Sequence, residues 1–510
     1  MMRRILALLA LLSLAVSPVA AQVIGSTPSA SGPGATEPAP PATPIALPSL
    51  PLAVGARIMV LGDSLSQFNW GGLGMLAVGS SSSGVMEWAV AADPRVNFDY
   101  WYDPADPWTA SGVRSAMNGA NQGIAGDHLI DARASFGFGI QNRLAYALSR
   151  NPQIVWLNAG TNTINSGDPA SAGVGANGGS GNGASAAYVT GKLDAIIDQI
   201  TQRGVYVILS TLFPRGDWPS GDGRRQVLRD VNVWIRAQAG RSGVVVSDPY
   251  AALVSPTNAE AVNTAMFSAD LVHPGPAGAR VIGIQYIKPA IAALVAAGSA
   301  FDQDIAVSNY YTATLAQMNG TTGTKSGSSV SGTVPTGYTV TGGSIAGETI
   351  VASIEAATGY NRIVVTITPF DNGTGNAYHF ATISLPQVTS PAGLAAGDWV
   401  QPYLHVEASD PVSFAVGRLS VGVNQVSTGR VTAIHHNESS SQFSQTAAGP
   451  GGYWIVGKPM QIPAGATFDR IAASGLTIYY PRTLATPFTV KVDRPIYRKV
   501  SDPRMAWNLP

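Results

Sequence analysis

The chain has 510 residues, 30 Lys and Arg against 30 Asp and Glu for a formal net charge of zero, and no cysteine. That length exceeds one ordinary core and points to about two to three domains. No basic run follows the N-terminus, which excludes electrostatic attraction to nucleic acid or an anionic surface, and with no thiol the folded regions depend on their cores.

At the N-terminus, Arg3-Arg4, the apolar run ILALLALLSLAV, and PVAAQ with Val19 and Ala21 ahead of Gln22 form the parts of a secretory signal in order. The run is shorter than the roughly 18 to 20 residues a membrane span needs. Residues 1–21 are therefore expected to be removed on export to a bacterial periplasm or the medium, leaving no membrane span. Residues 22–54, rich in Pro, Ala, Ser and Gly, are expected to form an extended, poorly ordered linker, with structure beginning near Arg57.

Over residues 55–300 the strand-like runs RIMVL, VNFDY, QIVWLNAG, VYVILST and GVVVSDPY alternate with helical patterns. The helical segments are DARASFGFGIQNRLAYALSRN, SAAYVTGKLDAIIDQITQRG, GRRQVLRDVNVWIRAQAG and PAGARVIGIQYIKPAIAALVAAG. Parallel strands need crossover connections, so the alternation predicts an α/β fold: an open, doubly wound parallel sheet with helices on both faces. In such a sheet ligands sit beyond the carboxyl ends of the strands.

Candidate site residues fall at those ends. In MVLGDSLSQFNW, residues 59–70, the apolar run stops at Gly62-Asp63-Ser64, placing Ser64 where a strand end presents a nucleophile. The same tripeptide is common turn chemistry, so other stretches must decide. In NQGIAGDHL, residues 121–129, Gly126 leaves its N–H unobstructed, with Asp127 placed to cap a helix. In LNAGTNT, residues 157–163, Asn162 can donate its amide in front of Ser64 or stabilise its own turn. In SADLVHPGPAG, residues 268–278, Asp270 stands three residues before His273.

Together these four blocks, in this chain order, resemble the GDSL, or SGNH, hydrolase superfamily over about residues 57–297. The resemblance implies a flavodoxin-like sheet, Ser64 as nucleophile, and Asp270 with His273 as the other members of a triad. It also implies an oxyanion hole from the N–H groups of Ser64 and Gly126 and the amide of Asn162. The family's third block usually reads Gly-x-Asn-Asp, whereas Thr163 follows Asn162 here, so the donor is kept and the local hydrogen bonding is expected to differ.

The chemistry needs these residue types. A serine hydroxyl attacks only when a base takes its proton, imidazole titrates near neutrality, and a carboxylate fixes the imidazole tautomer. No cofactor or metal is required, and of six histidines only His128 and His273 lie in this region. Trp70, Trp88, Trp101, Tyr102 and Trp108 crowd the chain between the first two blocks, either as core or as platforms for a sugar ring. The stretch NSGDPASAGVGANGGSGNGAS after Asn162 is either a flap over the cleft or unstructured.

Residues 301–510 change pattern. ETIVASIEA, NRIVVTITPF, NAYHFATISLP, DWVQPYLHVEAS, VSFAVGRLSVGV, GRVTAIHH and PFTVKVDRPIY alternate at period two between turn residues, predicting an all-β, jelly-roll-like sandwich. Its role is either carbohydrate binding or packing, and His435-His436 reads as a solvated strand end. The expected activity is that of an exported serine esterase acting through an acyl-enzyme on a small-molecule or polysaccharide ester, with O-deacetylation of a carbohydrate first. The alternatives are a lipase, arylesterase or thioesterase on small acyl esters, or a noncatalytic glycan-binding surface protein.

Overall fold

The computed structural model of the protein describes residues 43–67, 84–99, 119–130, 139–166, 183–268, 270–343, 347–371, 379–389, 391–408, 416–425, 429–435, 451–457, 459–462, 468–480 and 483–509. Strand β1 (Ala56–Gly62) is apolar on both sides because both sides are covered. Its side chains alternate, so that Ile58 and Val60 enter one hydrophobic core while Met59 and Leu61 enter another. The same alternation runs through β3 (Ile154–Asn158) and β4 (Tyr206–Ser210), where Trp156 and Ile208 face the first core and Leu157 and Leu209 the second.

With β2 (Val96–Asn97) and β5 (Val244–Ser247) these strands form a parallel sheet of order β2-β1-β3-β4-β5, as the alternating pattern predicts. The order reverses between β1 and β3, the switch point beyond whose carboxyl ends sheets of this kind bind their ligands. On the first face lie α1 (Val85–Ala92), α5 (Pro276–Val281), the π-helical turn Ile282–Ile287 and α6 (Lys288–Leu294). On the second lie α2 (Ile140–Ser149), α3 (Ala186–Thr201) and α4 (Gly223–Ala237). Side-chain caps set two of these helices: Ser185 accepts from the Tyr188 N–H ahead of α3, and Asp222 from the Arg224 N–H ahead of α4.

Helix α1 was not anticipated from the sequence. It is wedged between the helices of the first face and strand Gly451–Val456, so VMEWAVAA is apolar nearly all round and shows no helical period. The end of the expected linker also departs from expectation. Leu52 is buried and exchanges backbone hydrogen bonds with Leu294 and Ala296, the Ile45 N–H donates to Gln202, and the Tyr206 hydroxyl donates to Pro48. The apolar residues spaced among the prolines, Ile45, Leu47 and Leu52, give this segment something to dock.

The described strands between Thr324 and Val500 form the β-sandwich that period two predicts, built from two seven-stranded sheets. One has at its centre the 13-residue strand Phe468–Tyr480, the other the 13-residue strand Phe488–Val500. Ile383, Leu476 and Ile478 of the first sheet share a core with Val365, Leu404 and Val490 of the second. Two edge pairings are parallel, Thr339–Gly342 with Thr324–Ser326 and Ile350–Ala357 with Val330–Gly332, and the remaining pairings in these sheets are antiparallel.

The chain then returns to the α/β region. After helix α7 (Pro503–Ala506), Trp507 is fully buried in the second core and its indole donates to Asp99 Oδ2 at 2.8 Å. Among the described residues no helix is long and apolar enough to cross a membrane.

Candidate active site

At the carboxyl end of β1 the chain enters the helical turn Ser64–Gln67 with no room to spare. A side chain at Gly62 would collide with the Asn158 carbonyl, which is why a glycine precedes the turn. Ser64 is half-buried at its start. Its Oγ lies 3.0 Å from His273 Nε2, and His273 Nδ1 lies 2.6 Å from Asp270 Oδ2. Residues more than two hundred positions apart in sequence thus form one hydrogen-bonded line.

The loop carrying His273 is held from several sides. Asp270 Oδ1 accepts the N–H groups of Val272 at 3.0 Å and His273 at 3.1 Å, while the Ser268 N–H donates to the His273 carbonyl. Leu271 has a φ of 58°, a left-handed conformation that costs energy for a branched side chain and that its surroundings must hold in place. One such hold is the hydrogen bond from the Gly216 N–H to the Leu271 carbonyl at 2.7 Å. Partial burial pushes the Asp270 carboxyl up, but the His273 ring and the two N–H donors outweigh it and hold the pKa at about 2. Asp270 is therefore ionised throughout the neutral range, as an acceptor for an imidazolium must be.

Gly126 and Asn162 stand on the segments flanking this line. Gly126 has a φ of 79°, open to glycine at little cost. Asn162 lies in the helical turn Thr161–Ser166 after β3, and its Nδ2 donates to the Asp127 carbonyl at 3.1 Å. A side-chain amide carries two protons, so one bond fixes its orientation, and among the described residues no second acceptor takes the other. Thr163, which departs from the family pattern, is fully buried and accepts the Leu129 N–H on its Oγ1 at 3.1 Å, tying the third block to the second.

Asp127 does not cap a helix: the next described helix begins at Ile140. Its carboxylate instead takes the guanidinium of Arg143, with Nη2 at 2.5 Å and Nε at 3.0 Å from Oδ2, both side chains being buried. Burial pushes the Asp127 carboxyl up, and Arg143 pulls it back only in part. Asp63, 1% exposed, accepts the Leu65 N–H on Oδ1 at 2.9 Å, and among the described residues its Oδ2 has no hydrogen-bond partner. Burial raises its pKa to about 6, against the opposing effects of the Leu65 N–H, His273 and Arg215.

The structure thus brings Ser64, Asp270 and His273 into contact and places Gly126 and Asn162 on adjoining segments. Sequence reasoning passed over Arg143, although a signal existed: it shares a helix face with the buried Ile140 and Ala147, where a solvated charge does not belong. Trp88 is core, with the Arg280 guanidinium over its ring at 5.1 Å. Trp70, Trp101, Tyr102, Trp108, His436 and most of the glycine-rich stretch lie outside the described residues, as does the signal. Among the described residues no group of three or more His, Asp or Glu is placed to hold a metal ion.

Arranged in this way, a hydroxyl, an imidazole and an ionised carboxylate can move a proton from Oγ to Nε2 as Oγ attacks an electrophilic carbon. Comparisons with known proteins agree with that chemistry at the level of family. The model of the GDSL-like lipase/acylhydrolase family matches residues 60–281. No curated protein matches the chain. Among solved structures, a GDSL-like lipase from Bacteroides thetaiotaomicron is 18% identical, covering 46% of this chain and 87% of its own at a TM-score of 0.27. A lipase/acylhydrolase from Enterococcus faecalis is 18% identical, covering 45% and 91% at a TM-score of 0.28. An acetylxylan esterase from Geobacillus stearothermophilus is 15% identical, covering 48% and 97% at a TM-score of 0.32. The α/β region of this chain, matched over residues 60–281, is a GDSL-like lipase/acylhydrolase domain.

Proposed function

We propose that the chain is an exported serine esterase that hydrolyses carboxylic esters through an acyl-enzyme on Ser64. The observation that carries this reading is the line Ser64 Oγ, His273, Asp270, with separations of 3.0 and 2.6 Å. In this reading His273 takes the Ser64 proton as Oγ attacks the ester carbonyl. The developing oxyanion is received by the N–H groups of Ser64 and Gly126 and the free proton of the Asn162 amide. His273 then protonates the departing alcohol and activates the water that releases the acid. Export rests on the N-terminal sequence.

The substrate class we propose is an O-acetyl ester of a carbohydrate. It is supported by the neutral charge balance, which favours an uncharged ligand, and by the β-sandwich joined to the hydrolase region. Residues 55–300 carry the chemistry in this reading, and residues 301–510 hold the polymer. Purified protein is tested on acetylated xylan, an aryl acetate, longer aryl acyl esters and an acyl thioester, with Ser64→Ala beside it. The expected outcome is turnover of the acetyl esters, preference for the polymer, and loss of several orders of magnitude in Ser64→Ala with folding intact. Preference for long acyl chains or thioesters overturns the substrate class. Undiminished turnover in Ser64→Ala overturns the mechanism.

A further inference from the structure

The buried guanidinium of Arg143 contacts the chain where three segments converge. Its Nη2 donates to the Gly62 carbonyl at 3.1 Å, two residues before Ser64, and its Nη1 donates to the Gln122 carbonyl at the start of the Gly126 segment. Through Nε and Nη2 it also holds the carboxylate of Asp127, the neighbour of Gly126, whose carbonyl accepts the Asn162 amide. Each segment that carries a proposed oxyanion donor is therefore tied to this one side chain, directly for Ser64 and Gly126 and through Asp127 for Asn162.

We propose that Arg143 is the positioning residue of the oxyanion hole: it touches no reacting atom and sets the relative placement of the three donors. A guanidinium suits this task because its donors diverge in one plane, so it can hold two carbonyls and a carboxylate at once. An ammonium is a single point and cannot span them. Donors displaced by about 1 Å still bind a neutral ester but lose the oxyanion, so the cost belongs to turnover.

The inference rests on the serine-esterase reading, which wild-type turnover of an aryl acetate and its loss in Ser64→Ala test separately. Arg143→Lys and Asp127→Asn are compared with wild type for kcat, KM and inhibition by an aryl trifluoromethyl ketone, whose hemiketal with a serine mimics the oxyanion. Asp127→Asn keeps the size of the side chain and stands in should Arg143→Lys fail to fold. The expected result is a fall in kcat of roughly 10- to 100-fold, KM within threefold, and weakening of the ketone by about the factor lost in kcat. Combined with Asn162→Ala, either variant should lose less than the product of the separate losses, because both act on one set of donors. Folded variants with wild-type kcat overturn the proposal. So does a loss confined to KM, ketone binding that stays wild-type, or full multiplicativity with Asn162→Ala.

Discussion

Asp63 shows how much one position constrains the site. It follows the glycine that ends β1 and precedes Ser64, and its carboxyl is buried with a pKa of about 6 against an ordinary value of 3.8. A carboxyl raised in the folded state binds its proton more tightly there. Its contribution to stability is full below the unfolded pKa and is lost as the pH rises from about 4 through 6. Asp63→Asn keeps an acceptor for the Leu65 N–H without the charge, so its stability relative to wild type should rise over that window. The rise should be on the order of 2 kcal/mol and flat above about pH 7. Urea unfolding of both proteins at pH 4, 5, 6 and 7.5 checks this, and a difference that does not change with pH contradicts it. The Asp63 environment was not legible in the sequence, where Gly-Asp-Ser reads the same for a solvated turn as for a buried one. Ser64, Asp270 and His273 were legible because each sits in a short local block. The partners of Arg143 come from three other segments, and no local pattern announces them.

At the scale of elements, what the sequence showed followed from periodicity, and what it hid followed from tertiary burial. Strands β1, β3 and β4 were legible as apolar runs because parallel strands are covered on both faces. Helix α1 was hidden for the same reason, since a helix buried all round has no polar face to mark it. Strand Phe468–Tyr480, central in its sheet, escaped because Gly475 and adjacent alanines interrupt its alternation, at the point where its pairing with Val416–Gln425 shifts register. The return of α7 and Trp507 to the hydrolase region was illegible, because one tryptophan near a terminus carries no period at all. That contact is testable. Trp507→Ala removes a fully buried indole and its hydrogen bond to Asp99, which should cost about 3–5 kcal/mol of unfolding free energy. Urea titration of the full chain measures it, and a loss below about 1 kcal/mol contradicts the packing described for this tail.

Across the whole molecule, a GDSL-like hydrolase domain is followed by a β-sandwich whose final residues pack back into the hydrolase core. The polypeptide places Ser64 at the topological switch point and brings His273 to it from a loop just ahead of α5, so the proposed chemistry depends on the assembled sheet and on no single motif. Fold class was readable from the order of elements, whereas the substrate is set by surfaces that period and motif do not encode. The central claim is that Ser64 is the nucleophile of an ester hydrolase, and covalent labelling of the intact chain tests it most directly. The full-length protein is treated with an alkyl fluorophosphonate, and residual aryl acetate hydrolysis is followed alongside peptide mass mapping. The account predicts one equivalent of label, on Ser64, incorporated in step with loss of hydrolysis. Label on another residue, or hydrolysis that persists once Ser64 is fully modified, would contradict it.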